Sequence, residues 1–500
     1  MGPAEEVLAV EVRAMSGALA FGPANLPASS TVSELKGLVA DAQLAPRALT
    51  LRLALGHLPL QGTEVLADLA AEGREPPLVF TLVRAPRVHT VVTWGDGTCG
   101  GDSSAVSHQL QQGVLSVHGN GFAFAALLEG GAVVTWGNAR YGGDTSAVSS
   151  QLSSGVVSVH GNGRVMAALK EAGAVVTWGD AACGGDSSAV AEQLSCGALS
   201  VAFTCSACAA VREGGAVVTW GKPEHGGDSG AVAEQLRSGV TSVCGNDYAF
   251  AAIKEQGAVV AWGHGRFGGD PGKTVGDRLA RGVVGVSWTG VAFAALKESG
   301  AVVTWGDAGR GGDSASVAGE LRSGVASVCG NGFAFAAVKV GGAVVTWGKG
   351  RFGGDSSAVA AQLGEGIVGV SGTGGAFAAL KDVRGGQLLA ADGLGLASKE
   401  LVSGVASVCG ADVALASGGA VVTWGNDPNG GNSSAVADDL RGGVTSVCSS
   451  GVAFAALKVN GTVVTWGSGA NLDGVAGAVA SGVVYLCGNC GAMCALKEKE

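Results

Sequence analysis

Residues 239–270 read GVTSVCGNDYAFAAIKEQGAVVAWGHGRFGGD, and this stretch decides the fold. GVTSV is a short run of β-branched residues, and YAFAAIK alternates with period two; both patterns suit strands. Glu255-Gln256-Gly257 is a turn signal, and AVVAWG is a third strand, so the last two strands form a hairpin. In the equivalent stretch from Gly113, Phe122, Phe124 and Ala126 fall on one face, and Ala123, Ala125 and Leu127 on the other. Valine and tryptophan on the next strand therefore meet small alanines.

The stretch recurs. Tryptophans of VVTWG or a close variant stand at Trp94, Trp136, Trp178, Trp220, Trp262, Trp305, Trp347, Trp424 and Trp466, spaced by 42, 42, 42, 42, 43, 42, 77 and 42 residues. The interval of 77 contains a degenerate unit in which GGQLLAADG (385–393) replaces GGAVVTWGD, putting Ala391 in the tryptophan place. Counted this way there are ten units, and Trp288 alone lies outside the pattern. Between units, segments such as GGDSSAVAEQLSCG (184–197) carry Asp or Ser at a capping position, then apolar residues at helical spacing, then glycine, which predicts a helical turn or short helix.

A three-stranded unit cannot bury both of its faces alone, so the units must stack. Radial stacking gives a β-propeller. The repeat region begins with only a third strand (89–95) and finishes with only the first two (482–497), so the first VVTWG can complete the last sheet and remove a raw edge. The fold class is thus mainly β, a propeller of about ten 42-residue units with short helical connectors. A seven-bladed ring with extra units, and an open spiral, are also compatible with the spacing.

The 88 glycines agree with many short strands and tight turns, far above the roughly 7% usual in proteins. A net charge of −10 disfavours a nucleic-acid partner, whose phosphates need a basic face. The first residues, MGPAEEVLAV, lack a basic segment followed by an apolar run, and no long apolar stretch suits a membrane span. The expectation is a cytoplasmic, or nuclear, protein with reduced thiols among its twelve cysteines.

Several segments imitate chemistry. Gly227-Asp228-Ser229-Gly230 matches a tetrad found around some serine nucleophiles, but it occupies a connector position and no triad accompanies it. Asp270 to Thr274, DPGKT, lacks the upstream glycine of a phosphate loop. Two C-x-x-C pairs, Cys205–Cys208 and Cys487–Cys490, invite a zinc reading. Against it, Cys244, Cys329, Cys409, Cys448 and Cys487 share a repeat position filled elsewhere by His118, His160, Ala202, Ser287 and Ser371, an interchange that suits packing better than ligation. No catalytic residue, cofactor or metal ligand is expected.

The order V-x-S-V-x-G, an alternating A-x-A-L-K strand, a glycine turn, V-V-T-W-G and a glycine pair resembles the regulator of chromosome condensation repeat, and the short unit is also similar to that of the bacterial β-lactamase inhibitor proteins with the same repeat. The resemblance spans roughly 89–500, and departs from the family in unit number and in having GGDSSAV where the family has G-Q-L-G. It implies a propeller that acts as scaffold, inhibitor, ligase-associated module or exchange factor on a small GTPase. Residues 6–84 resemble a ubiquitin-like β-grasp domain: VLAVEVRAMSGALAFGPANL as hairpin, SSTVSELKGLVADAQ as capped helix, LTLRLALGHLPL and PLVFTLVR as later strands. That resemblance places Leu53 and Leu82 at the family's hydrophobic recognition patch. Arg84 is followed by APRVHT rather than Gly-Gly, which implies a built-in docking domain joined by a linker, 85–88, to the repeats of 89–500.

Between the fixed WG and the fixed GGD the units vary freely, as a binding surface on a rigid frame would. Candidate protein-binding residues there are Arg140, Tyr141, His225, Arg266, Phe267, Arg351 and Phe352, since Arg beside an aromatic ring is a common interface anchor. The functional expectation is a non-enzymatic scaffold, its ubiquitin-like domain docking to ubiquitin–proteasome components and its propeller holding a protein partner. Exchange-factor-like action on a small GTPase and an accessory ligase role are the alternatives.

Overall fold

The computed structural model describes residues 7–14, 19–27, 30, 49–55, 58–59, 78–86, 89–111, 113–382, 419–469 and 471–498. The chain divides into two compact units, Met1–Val88 and His89–Glu500.

The first unit holds strands β1 (Val7–Ala14), β2 (Leu19–Pro27), β3 (Leu49–Leu55), β4 (Leu58–Pro59) and β5 (Leu78–Pro86). They form one sheet in the order β2-β1-β5-β3-β4. β1 runs parallel to β5, while the β1/β2, β3/β5 and β3/β4 pairs are antiparallel. The helix expected over SSTVSELKGLVADAQ falls outside the described residues.

In the second unit each described repeat folds as read. The stretch from Gly239 gives strands Val240–Gly245, Ala249–Lys254 and Val259–Gly263, with a tight turn at Glu255–Gly257. Connectors contain a single 3-10 turn, such as Ser188–Val190, whose start is fixed by the Asp186 carboxylate accepting from the Ser188 backbone N–H at 2.9 Å. The DPGKT connector instead forms a true α-helix, Gly272–Arg278, so it is a connector variant as its position implied.

Nine three-stranded blades are described. Blades 1 to 6 cover 114–137, 156–179, 198–221, 240–263, 283–306 and 325–348, and blade 8 covers 444–467. Blade 7 takes two strands from 367–381 and its third, Ala420–Gly425, from beyond the degenerate unit. Its register is the usual one, with Phe377 opposite Trp424 as Phe335 is opposite Trp347. Residues 383–418, which carry GGQLLAADG, lie outside the described residues. Blade 9 joins Val483–Gly488 and Ala492–Glu498 to strand β6 (His89–Gly95), with Met493 opposite Trp94. Chain start and chain end of the repeat region thus share one sheet.

The hydrophobic core is not inside the blades but between them. Ala292, Ala294 and Val302 of blade 5, for example, pack with Val328, Phe335, Ala337 and Trp347 of blade 6. Among the described residues there are nine such clusters, one for each junction including those flanking blade 9, as a closed ring of the nine described blades requires; an open spiral of them would have eight. Burying one phenylalanine of this kind is worth roughly 2–3 kcal/mol. A single hydrogen bond contributes about 1 kcal/mol net. Packing therefore dominates each junction, and hydrogen bonds set its register.

Candidate interaction face and central channel

The first strands of successive blades lie against one another and form the inner wall of the ring. Each first strand leads into a turn held by a buried polar residue. In blade 4, Asn246 Oδ1 accepts from the backbone N–H groups of Tyr248 and Ala249, both at 2.8 Å, while Nδ2 donates to Phe267 O at 2.7 Å. Asn331 makes the same three bonds to Phe333, Ala334 and Phe352. This staple ties the variable loop after the tryptophan to the turn between strands one and two, so both are presented on one face of the ring.

The loop itself is a 3-10 turn closed by the glycine pair, and here glycine is obligatory. Gly142 has φ +114°, and a Cβ on Gly143 would lie 2.5 Å from Gly137 O. The frame is thus rigid and the residues between its fixed ends are free to vary.

The seven loop residues read from sequence fall into three clusters. Arg140 and Tyr141 sit together, with Phe122 5.0 Å from the Tyr141 ring, Arg164 stacked over that ring, and Arg140 paired to Asp180 of the next loop at 3.5 Å. His225, Tyr248 and Phe267 form a row of rings with centroids 4.8 and 4.9 Å apart, and Arg266 lies over Phe267 while pairing with Asp307 at 3.4 Å. Phe352 stacks on Phe333 at 4.3 Å, with Arg351 over it. Sequence reading missed Phe122, Tyr248 and Phe333. They stand two residues after the stapling Asn, a spacing that was visible but was read as the start of a strand. Leu53 and Leu82, in the other unit, are direct partners across the β3/β5 pair.

Inside the ring, a cavity of about 820 Å³ is lined by first-strand residues including His118, His160, Cys244, Trp288 and Cys487. At His118, His160, Ala202, Cys244 and Cys487 the interchangeable column is therefore a layer of the channel wall, and the odd tryptophan lies there too; Cys409 falls outside the described residues. His118 and His160 are 5.9 Å apart between ring centroids. Burial, helped by the neighbouring His160, lowers the His118 pKa to about 4, and burial lowers that of His160. At the channel mouth the Cys205 thiol donates to Asp247 Oδ1 at 3.3 Å. Lost hydration at the narrow mouth raises the pKa of both groups, the Asp247 charge adding to it for Cys205.

The C-x-x-C pairs do not converge. Cys208 is buried between blades and Cys205 is exposed on the mouth, and Cys487 lines the wall while Cys490 is exposed. Among the described residues no group of three or more His, Cys, Asp or Glu side chains is placed to hold a metal ion. Ser229 of the serine-like tetrad bonds Thr219 at 3.1 Å, as Ser314 bonds Thr304, so it is a connector hydroxyl. Among the described residues no helix is long and apolar enough to cross a membrane.

These features define a closed repeat propeller with a stapled loop face. Solved structures similar to it include Prp20p of Saccharomyces cerevisiae, with 16% identity over 53% of this chain and 82% of that one at a TM-score of 0.35. The ectodomain of the Arabidopsis thaliana receptor kinase ACR4 matches with 14% identity over 71% and 96%, TM-score 0.34. Human WBSCR16 matches with 14% identity over 83% and 100%, TM-score 0.34. No family model matches the chain, and no curated protein does.

Proposed function

We propose that this protein is a non-enzymatic interaction scaffold, in which residues 89–500 hold a protein partner on the loop face of the ring. The observation that carries this reading is the contrast within each unit. Staples, glycine pairs and tryptophans repeat, while the loops they hold differ and gather aromatic rings beside Arg and Lys. Rigid aromatic and arginine anchors are what protein interfaces use most.

In the same reading, residues 6–84 are a ubiquitin-like docking domain for ubiquitin–proteasome components, joined by residues 85–88. Its support is the mixed sheet with a central parallel pair and antiparallel flanks, together with Leu53 directly opposite Leu82.

The test is recovery of partners from cell extract on three baits: the full chain, residues 88–500, and a full chain carrying Y141A, F267A and F352A. Proteasome or ubiquitin-pathway proteins should be lost with the N-terminal unit, and a second set should be lost from the triple variant. Identical recovery on all three baits would sink the reading.

A further inference from the structure

Four loops between WG and GGD carry an arginine; two of these arginines reach an aspartate of the next loop, and two in neighbouring loops do not. In two junctions an arginine of one loop reaches the residue that follows the WG glycine of the next, which is aspartate: Arg140 to Asp180 and Arg266 to Asp307. At the junction of blades 5 and 6 the residue after the WG glycine is Lys349, and Arg310, one place further along its loop than Arg140 or Arg266, lies over the same Phe333 ring as Lys349. Arg351, in the loop of blade 6, holds the loop position of Arg140 and Arg266, and the residue after the next WG glycine is Asn426. Neither position carries an acid.

The three cations converge on two stacked rings. Arg310 Cζ lies 4.7 Å from the Phe333 centroid. Lys349 Nζ lies 5.5 Å from Phe333 and 5.3 Å from Phe352, and Arg351 Cζ lies 5.2 Å from Phe352. Among the described residues no carboxylate comes within ion-pair distance of any of the three. Asp307 is engaged by Arg266, Asp247 feels Arg310 only at longer range, and the exposed Asp427 contacts none of them. A ring face holds a cation but does not cancel its charge. In a chain of net charge −10, three uncompensated cations over half-buried phenylalanines form a local surface that calls for an anion with an apolar neighbour.

We infer that the junction of blades 5, 6 and 7 binds an acidic segment of a partner protein, with carboxylates on Arg310, Lys349 and Arg351 and an apolar side chain against Phe333 and Phe352. The inference rests on the scaffold reading and names the chemistry of one subsite within it.

The test uses the full chain and a fluorescein-labelled twelve-residue peptide of Asp, Glu and Phe, followed by anisotropy at 50 and 300 mM salt. The informative substitution is Lys349→Asp, which puts there the aspartate found at the two paired junctions and replaces one of the three cations with an anion. It should weaken peptide binding at least tenfold while leaving the melting temperature unchanged or raised. Arg351→Glu should weaken binding similarly, and Arg237→Glu, on a connector, should not alter it. A wild-type affinity that falls steeply between the two salt concentrations is expected. Equal binding by wild type and K349D overturns the inference, as does equal binding of a Lys-for-acid control peptide. If a single-stranded oligonucleotide of the same length binds as well as the peptide, the subsite takes polyanions generally and the protein-segment assignment falls. Failure here leaves the scaffold reading intact as long as the Y141A, F267A, F352A bait still loses partners; that reading fails only on its own bait comparison.

Discussion

The indole Nε1 of Trp305 donates to the carbonyl oxygen of Gly268 at 3.0 Å, linking the third strand of one blade to the loop that follows the blade before it. The same bond recurs around the ring at seven further junctions, from Trp136 to Gly100 through Trp466 to Gly430. Trp94 is the exception: its Nε1 is buried and has no partner among the described residues. The loop that should supply the glycine carbonyl, after Trp466, reads SGANLDG and has lost the GGD pair. Trp94 and Trp305 are equally buried, each 3% exposed, so they make a controlled comparison. Trp305→Phe loses packing and a buried hydrogen bond, whereas Trp94→Phe loses packing but also removes an unpaired donor. An unsatisfied buried group costs about 1–3 kcal/mol. The Trp305 variant should therefore be the less stable by roughly 2 kcal/mol, read from urea midpoints.

Glycine content invites a second comparison. Gly226 has φ +96°, and a Cβ there would lie 2.6 Å from Phe250 Cδ2. Gly130, at a hairpin tip, has φ +81° with open space around it, and Ala172 and Gln256 hold the same tip position with φ +64° and +67°. Gly130→Ala should cost only the left-handed backbone penalty, about 1 kcal/mol. Gly226→Ala adds overpacking against a fully buried ring and should cost roughly 3 kcal/mol in total. Thermal melts of the two variants would separate them by several degrees.

The repeat, the three strands, the junction between chain ends and the connector turns were legible because each rests on a local signal copied many times. Period-two alternation, the Trp spacing and the glycine pairs all point the same way. The loop face was legible only in half. Tyr141, Phe267 and Phe352 lie in the variable segment and stand out against a fixed frame, whereas Phe122, Tyr248 and Phe333 come from a turn that looks like the first residue of a strand. Their meeting depends on the Asn staple, a long-range bond that no local pattern announces. That Arg140 and Arg266 meet an acid while the cations around Phe333 and Phe352 do not was also invisible, since it depends on which loops adjoin across a junction.

Blade 7 gives a test of how many units build the ring. Lys381, Asp382, Gly419 and Ala420 stand where Lys170, Glu171, Gly173 and Ala174 stand in blade 2, leaving one tip position to fill. Replacing residues 383–418 with a single glycine removes a net 35 residues, as 36 − 1, and returns the Trp347–Trp424 spacing from 77 to 42. Because blade 7 already pairs in the regular register, and its junction with blade 8 has a complete core, the shortened chain should fold and keep a β-rich far-ultraviolet circular dichroism spectrum. Its melting temperature should stay within a few degrees of the parent. A collapse in stability would mean that residues 383–418 contribute a blade of their own.

The channel histidines set a pH response whose sign is fixed by their burial. His118 titrates near 4 in the folded ring, against 6.5 when exposed, and His160 is shifted the same way. Below 6.5 the unfolded chain takes up protons that the folded one refuses, so stability is complete above 6.5 and is lost progressively as pH falls toward 4. By pH 5 the His118 contribution alone is roughly 2 kcal/mol. Aspartates that accept from connector turns, such as Asp144 and Asp186, have lowered pKa values and release stability only in more acidic solution, while the raised pKa of Asp247 works in the opposite direction to the histidines. Between pH 7 and pH 5 the lowered imidazoles dominate, with His225, also lowered by burial, adding to the channel pair and Asp247 opposing them, so a variant lacking the channel imidazoles separates their share. Serine occupies the same column in blades 5 and 7, where Ser287 and Ser371 donate to Val328 O and Val447 O of the following blade at 2.6 and 3.1 Å. The double variant H118S, H160S can make the equivalent bonds to Val159 O and Val201 O, and it should keep the stability of the parent at pH 7. Its urea midpoint should then change little down to pH 5, where the parent's falls; an equal fall in both would show that the acid sensitivity lies outside the channel.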